Sequence, residues 1–391
     1  MFNKGSLFKT LVIILLELFL LVILCVIVRI YKSLIYFSFS YDSGKTKRHM
    51  AKMNLNTGYL ALILYIITAA GCNTAQSDPL FSSVSPKSTN SVTKLDKKIA
   101  DTASYKKRMI KMANGDSSGK WVFKNEFPNE GAILPYKRII AYYGNLYSTR
   151  MGILGELPKK EMFSRLKKEL DVWQKADPET PTVPALHYIV TTAQDSPGSA
   201  GLYRLRMPSS EIDKVMAMAE EINAIVFLDV QVGLSTLRDE IPVLEKYLKN
   251  PRVHLGIDPE FSMKGGQKPG SVIGSFDAED VNYASSYLAS LVNKYNLPPK
   301  VLILHRFTKG MLKGTKEISA SPAVQIVVDM DGWGAPERKI NTYKQFVHAE
   351  PVQFTGFKLF YKNDLKEPPH RMLTPEQLLS LKPIPMYIQY Q

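Results

Sequence analysis

The segment VHLGIDPEF (253–261) ends an alternating apolar run in two carboxylates, Asp258 and Glu260. Two positions apart on a strand, the pair falls on one side. A neighbouring carboxylate raises a carboxyl pKa, and burial raises it further. An acid held protonated near neutrality can give its proton to a glycosidic oxygen. Cleavage of a glycosidic bond needs such an acid plus a second carboxylate as base, nucleophile or stabiliser. More acids end two other apolar runs: Asp229 in AIVFLDVQ (224–231), and Asp329 and Asp331 in VQIVVDMD (324–331).

These acids need elements that bring them together. From Pro135 onward, short apolar runs alternate with longer amphipathic segments. The strand candidates cover 137–144, 184–192, 224–231, 252–260, 300–307, 324–331, 355–362 and 385–391. Helical patterns lie at 159–176, 209–222, 236–250, 278–295 and 337–348, and those at 308–320 and 373–381 are short or irregular. This α/β alternation predicts a closed (β/α)8 TIM barrel over 135–391, with the C-terminus ending in the eighth strand. An open doubly wound sheet is the competitor, but no G-x-G-x-x-G follows the first strand. The stretch 98–134 reads as an N-terminal helical extension that covers the gap left by an eighth helix or closes the barrel floor.

Reactive groups of such barrels gather at the C-terminal strand ends. Strand parity points Asp229 and Gln231 inward from strand three, and Gly256, Asp258 and Glu260 from strand four. Strand five gives His305, or Arg306 if the parity slips. Strand six gives Asp329 and Asp331, and strand seven Lys358 or Tyr361. Tyr143 and Gln389 come from strands one and eight. Five carboxylates on one axis cost several kcal/mol unless protons or cations compensate, so a site is the economical reading. Asp331, in DGWG, has a second reading as the anchor of a turn. Aromatic platforms for sugar rings are expected among Tyr142, Tyr143, Tyr147, Phe261 and Trp333, although such residues also serve as core.

The D-x-E at 258–260 resembles that of chitinase-like and lysozyme-like barrel glycosidases. The resemblance implies Glu260 as proton donor and Asp258 as its partner, with Asp229 or Asp329 as the opposing carboxylate. Substrate binding is expected of the other inward or loop residues at the strand ends, Tyr143, Gln231, His305, Asp331, Trp333, Lys358 and Gln389. The longer D-x-x-D-x-D-x-E pattern of chitinases is missing, so a substrate-assisted mechanism is not expected. The expected substrate is carbohydrate, with no cofactor and no metal site. A metal-dependent hydrolase is the alternative, with a divalent cation held by Asp229, Asp258, Glu260, His305 and Asp329. Against it, the chain has six histidines and neither H-E-x-x-H nor an H-x-H on strand one. A serine nucleophile is not expected either, because the one G-x-S-x-G match, GDSSG at 115–119, follows no strand candidate, as a nucleophile elbow must. A non-catalytic glycan-binding protein is the third reading.

The N-terminal part addresses location. Residues 50–71 have a basic start, an apolar run and a small-residue ending, as a secretory signal does. Ala69-Ala70-Gly71-Cys72 resembles the bacterial lipobox, with Ala69 where Leu is usual. That resemblance implies acylation of Cys72 by chains such as palmitate. The exported protein is then anchored in the cell membrane or outer membrane, and residues 72–97 form a flexible tether. Residues 11–28 are long enough to span a bilayer, so 1–49 reads as an over-extended start or an extra membrane helix. Net charge is +14, of which +6 precedes Cys72 and +8 follows it. With no basic block interleaved with aromatics, nucleic acid is not an expected partner. Cys25 and Cys72, the two cysteines, allow no disulfide framework in the globular part.

Overall fold

The computed structural model describes residues 101–121 and 127–391. The expected signal peptide (50–71), Cys72, the tether (72–97) and the apolar segment 11–28 lie outside the described residues.

Eight strands form the barrel: β1 Arg138–Gly144, β2 Thr182–Ala193, β3 Ile225–Val230, β4 Val253–Ile257, β5 Lys300–Arg306, β6 Val324–Met330, β7 Phe354–Leu359 and β8 Tyr387–Tyr390. Each pairs in parallel with the next. β8 returns to β1, with Ile139 opposite Tyr387 and Tyr142 opposite Tyr390, and the cylinder is closed. The expected barrel is thus present, with its last strand at the C-terminal end of the sequence.

Alternation along the strands sorts the side chains into two cores. Ile140, Leu186, Val226, Leu228, Leu255, Leu304, Val328 and Ile388 face outward, where they bury against helices. The helices include α1 Thr102–Ala113, α2 Lys159–Ala176, α3 Ser209–Glu221, α4 Ala278–Lys294, α5 Pro336–Thr342 and α6 Pro375–Leu379. α2 turns Met162, Leu166 and Trp173 toward the barrel, and full burial of each such side chain contributes about 1.5–3 kcal/mol. α4 begins with a capping box between Asp277 and Asp280, so Asp277 is the cap its position predicts.

The inner core is filled from below. Ile139, Ala185, Ile225, Phe227, Val301, Ile303, Val327 and Phe354 pack inside the cylinder against Tyr105, Met109 and Met112 of α1. The helical extension therefore closes the floor. Asn114 ties it there by donating to the carbonyls of Leu379 and Leu381. Two polar side chains share this lower layer, Gln325, bonded to the backbone of Ile133 and Leu134, and His254, which accepts from the Val301 N–H; the other polar inward side chains occupy the upper layers.

The 236–250 helix is broken. Leu237–Glu240 and Glu245–Leu248 are separate turns joined by Pro242–Leu244, because Pro242 has no N–H to continue the ladder. Residues 308–320 contain two short 3-10 turns in place of a helix. The 337–348 segment starts as α5 and widens into a π turn at Tyr343–His348. Arg204–Arg206 adds a short antiparallel strand at the top of β2, which the sequence pattern did not reveal.

Candidate active site

Above the apolar layer the inward positions turn polar. His187 of β2, Asp229 of β3, His305 of β5 and Asp329 of β6 are all fully buried. Asp229 is the hub. One of its oxygens lies 3.1 Å from His187 Nε2 and 3.2 Å from His305 Nε2. The other accepts from the Tyr143 hydroxyl at 3.0 Å. His305 Nδ1 lies 3.1 Å from Asp331 Oδ2 and 3.7 Å from an Asp329 oxygen. Asp331 Oδ1 is 2.9 Å from Lys358 Nζ, and that ammonium stands 3.9 Å above the Tyr143 ring.

These distances assign the charges. Both nitrogens of His305 face carboxylates, so both carry hydrogens and the ring is an imidazolium. Burial opposes that charge, but Asp229 and Asp331 outweigh it and hold His305 well above the usual histidine range. Burial pushes Asp229 up, yet His305 and His187 bring it well below the usual carboxylate range. His187 is the neutral histidine, lowered to about 4 chiefly by burial. Its other nitrogen lies 2.6 Å from the Tyr387 hydroxyl and 3.2 Å from Gln389 Nε2. Asp329 is raised to about 7 by burial, with Asp331 adding to the rise. The buried network thus holds two carboxylates, Asp229 and Asp331, balanced by His305 and Lys358.

Room for this network comes from glycines on inward positions. A Cβ on Gly256 would overlap Asp229 Oδ1 and His187 Nε2, and one on Gly356 would meet an Asp329 oxygen. Gly256→Ala is expected to cost about 1–3 kcal/mol through overpacking, read as a lowered midpoint in thermal unfolding.

Over the network opens a cleft of about 550 Å3. Tyr143, Gln231, Asp258, Glu260, Asp331 and Lys358 contribute to its floor and walls. Strand four stops at Ile257, one turn earlier than its pattern suggests, and Pro259–Phe261 form a 3-10 turn. Asp258 caps that turn, accepting the Glu260 N–H at 3.0 Å. Its second oxygen accepts from Gln231 Nε2 at 3.3 Å, and Gln231 is held in turn by the Ala193 N–H at 3.1 Å. Asp258 therefore aims Glu260, and the two acids do not sit as simple strand neighbours. Burial, with the Asp331 charge next, lifts Glu260 to about 7. Burial likewise puts Asp258 well above its usual range. Asp331 goes the other way: burial opposes its charge, but Lys358 and His305 outweigh that and leave it lowered. One wall of the cleft thus presents a protonated carboxyl near neutrality, and another an ionised one.

The expected site residues fall into two layers. Asp258, Glu260, Tyr143, Gln231, Asp331, Trp333 and Lys358 line the cleft. Asp229, Asp329, His305 and Gln389 are fully buried in the layer beneath and are not among its lining residues. The parity choice on strand five falls to His305. On strand seven it falls to Lys358, while Tyr361 faces outward to Tyr142 and Glu169. Among the aromatics, Phe261 and Trp333 line the cleft and Tyr143 forms part of its floor. Tyr142 is buried in the outer core, and Tyr147 is exposed without lining the cleft.

His187 and Tyr387 were missed. Alternation on β2 (Ala185, His187, Ile189) carried the signal for His187, since a histidine on an inward position of a closed barrel has no solvent. Arg150, Phe307, Arg338 and Phe360 line the cleft from loops and helix starts, where no period marks them. For a metal, the described residues bring together His187, Asp229 and His305, whose ligand atoms lie within 4.8 Å of one another. This set shares only Asp229 and His305 with the one expected from sequence. Its carboxylate accepts from Tyr143 and pairs with His305 Nε2, while His187 Nε2, 3.1 Å from it, makes no hydrogen bond.

No protein-family model matches this chain, and no curated protein matches it. Among solved structures, it is similar to a GH5-4 broad-specificity endoglucanase from Clostridium longisporum, at 10% identity over 57% of this chain and 75% of that one, TM-score 0.33. It is similar to Thermotoga maritima Cel5A in complex with cellobiose, at 9% identity over 66% of this chain and 88% of that one, TM-score 0.35. It is also similar to Plasmodium falciparum HPPK-DHPS with pteroate, at 11% identity over 65% of this chain and 45% of that one, TM-score 0.29. Barrels of one fold host unrelated chemistries, and the activity has to be argued from the cleft.

Proposed function

We propose that this protein is a glycoside hydrolase, tethered to a bacterial envelope membrane by acylated Cys72, whose proton donor is Glu260. The observation that carries the reading is the opposite tuning of two carboxyls lining one cleft: Glu260 raised to about 7 and Asp331 lowered. Glycoside cleavage uses a protonated acid and an ionised carboxylate around one bond. Glu260 gives its proton to the glycosidic oxygen as the bond to the anomeric carbon breaks. Asp331 supplies the negative charge that stabilises the developing oxocarbenium ion. Water then delivers hydroxyl to the anomeric carbon and a proton back to Glu260. Asp331 takes the opposing role first expected of Asp229 or Asp329, since both of those lie under the cleft floor. Trp333, 45% exposed, offers an aromatic face on which a sugar ring can stack.

The test is release of reducing ends from a panel of polysaccharides by the full chain in detergent. Asp331→Asn is expected to slow release about 100-fold or more, as loss of a charge aimed at the transition state does. Binding of glycans with no turnover by the parent protein on any of them would favour the non-catalytic reading. Loss of turnover on chelation, with recovery on adding a divalent cation, would favour the metal reading.

A further inference from the structure

We propose that the cleft selects glycans whose sugars carry carboxylates, with Arg150 as the anchor for that group. The proposal rests on the glycosidase reading and deepens it by naming a substrate class.

The cleft is polarised by the order of its strands. β1, β6, β7 and β8 are contiguous around the barrel, because β8 pairs with both β7 and β1. From this arc come Arg150, in the loop after β1, Arg338 on α5 after β6, and Lys358 on β7, and all three line the cleft. Glu260 enters from β4, on the opposite arc. Asp331 faces Lys358 at 2.9 Å, and Arg338 faces Glu367 at 2.8 Å. Among the described residues Arg150 has no ion-pair partner, and its side chain is exposed at the cleft edge.

Ion pairing sets the sign of the ligand. Lys358 is paired with Asp331 and Arg338 with Glu367, so Arg150 is the one lining cation without a carboxylate partner among the described residues. A neutral glycan would leave Arg150 unpaired. A sugar carboxylate on the β6–β7–β8–β1 arc would meet the planar fork of Arg150, which suits two-point binding of a carboxylate. The same arc carries Trp333, so ring stacking and carboxylate pairing would act on one segment of the glycan. The scissile bond then lies toward Glu260, on the far side of Asp331.

Equilibrium binding by titration calorimetry tests this, using the full chain with Glu260→Gln so that ligands stay intact. The probes are oligosaccharides cut from polygalacturonate and from hyaluronan, each beside its carboxyl-reduced counterpart. At least one acidic oligosaccharide is expected to bind about tenfold or more tightly than its reduced form, as one charge-assisted pair provides. That preference should shrink between about 0.05 and 0.5 M salt. Arg150→Gln should remove most of it without changing affinity for the reduced form, and Arg150→Lys should retain part. Equal affinity within every pair, or a preference that survives Arg150→Gln, overturns the proposal. If the parent protein cleaves neutral glycans and shows no acidic preference, the substrate class falls while the glycosidase reading stands. If neither series is bound or cleaved, both fall.

Discussion

Glu260→Gln is expected to lower turnover by about 10²- to 10⁴-fold, the range for loss of a positioned general acid, while glycan affinity stays near that of the parent. Gln keeps the size and the polar contacts of the carboxyl but has no proton to give. The pH profile makes the assignment specific. Glu260 must be protonated, and its carboxyl is raised to about 7, so the rate falls as pH rises through about 7. Asp331 must be ionised, and its carboxyl is lowered, so the acid limb lies below the ordinary carboxylate range. A bell with those two limbs should be read in kcat. In the Gln variant the limb near 7 should disappear from whatever activity remains. A basic limb unchanged by the substitution would assign the proton to another group.

His305→Leu is expected to be the most damaging single change to stability. The imidazolium lies between Asp229 and Asp331, both of which it holds ionised. Removing it leaves Asp229 buried with a neutral histidine and a tyrosine as its partners. Breaking a buried pair from one side costs about 3–5 kcal/mol, which for a domain of this size lowers the melting midpoint on the order of 10 °C. Adding Asp229→Leu to the same chain should recover part of the loss, because no unpaired charge then remains; a double-mutant cycle reads the coupling. The pH dependence has a definite sign. His305 has a folded pKa well above its unfolded value. Its contribution is complete below the unfolded value of about 6.5 and is lost as pH rises through the folded one. Asp229 is depressed, so its contribution is present above about 3.9 and is lost as pH falls through the folded value. The network is therefore strongest from mildly acidic pH through neutrality, the window in which Glu260 still holds its proton.

Much of this was written along the chain. Eight apolar runs with helical patterns between most of them determine a closed barrel, because period two and period 3.6 are local properties of a strand and a helix. The same parity points Asp229, Asp329, Asp331 and Gln389 to the barrel axis, and leaves His305 or Arg306 on strand five and Lys358 or Tyr361 on strand seven for the fold to decide. Parity, however, gives direction and not depth. Whether an inward acid lies under the floor, as Asp229 and Asp329 do, or in the cleft, as Asp331 does, depends on the stagger of neighbouring strands and on where α1 seals the lower end. The role of Asp258 as the cap that aims Glu260 also came only from the fold, since the strand gives way to a turn at Pro259. The cationic arc was invisible for a related reason. Arg150, Arg338 and Lys358 come from three separate stretches of sequence, and only the return of β8 to β1 makes their strands part of one wall.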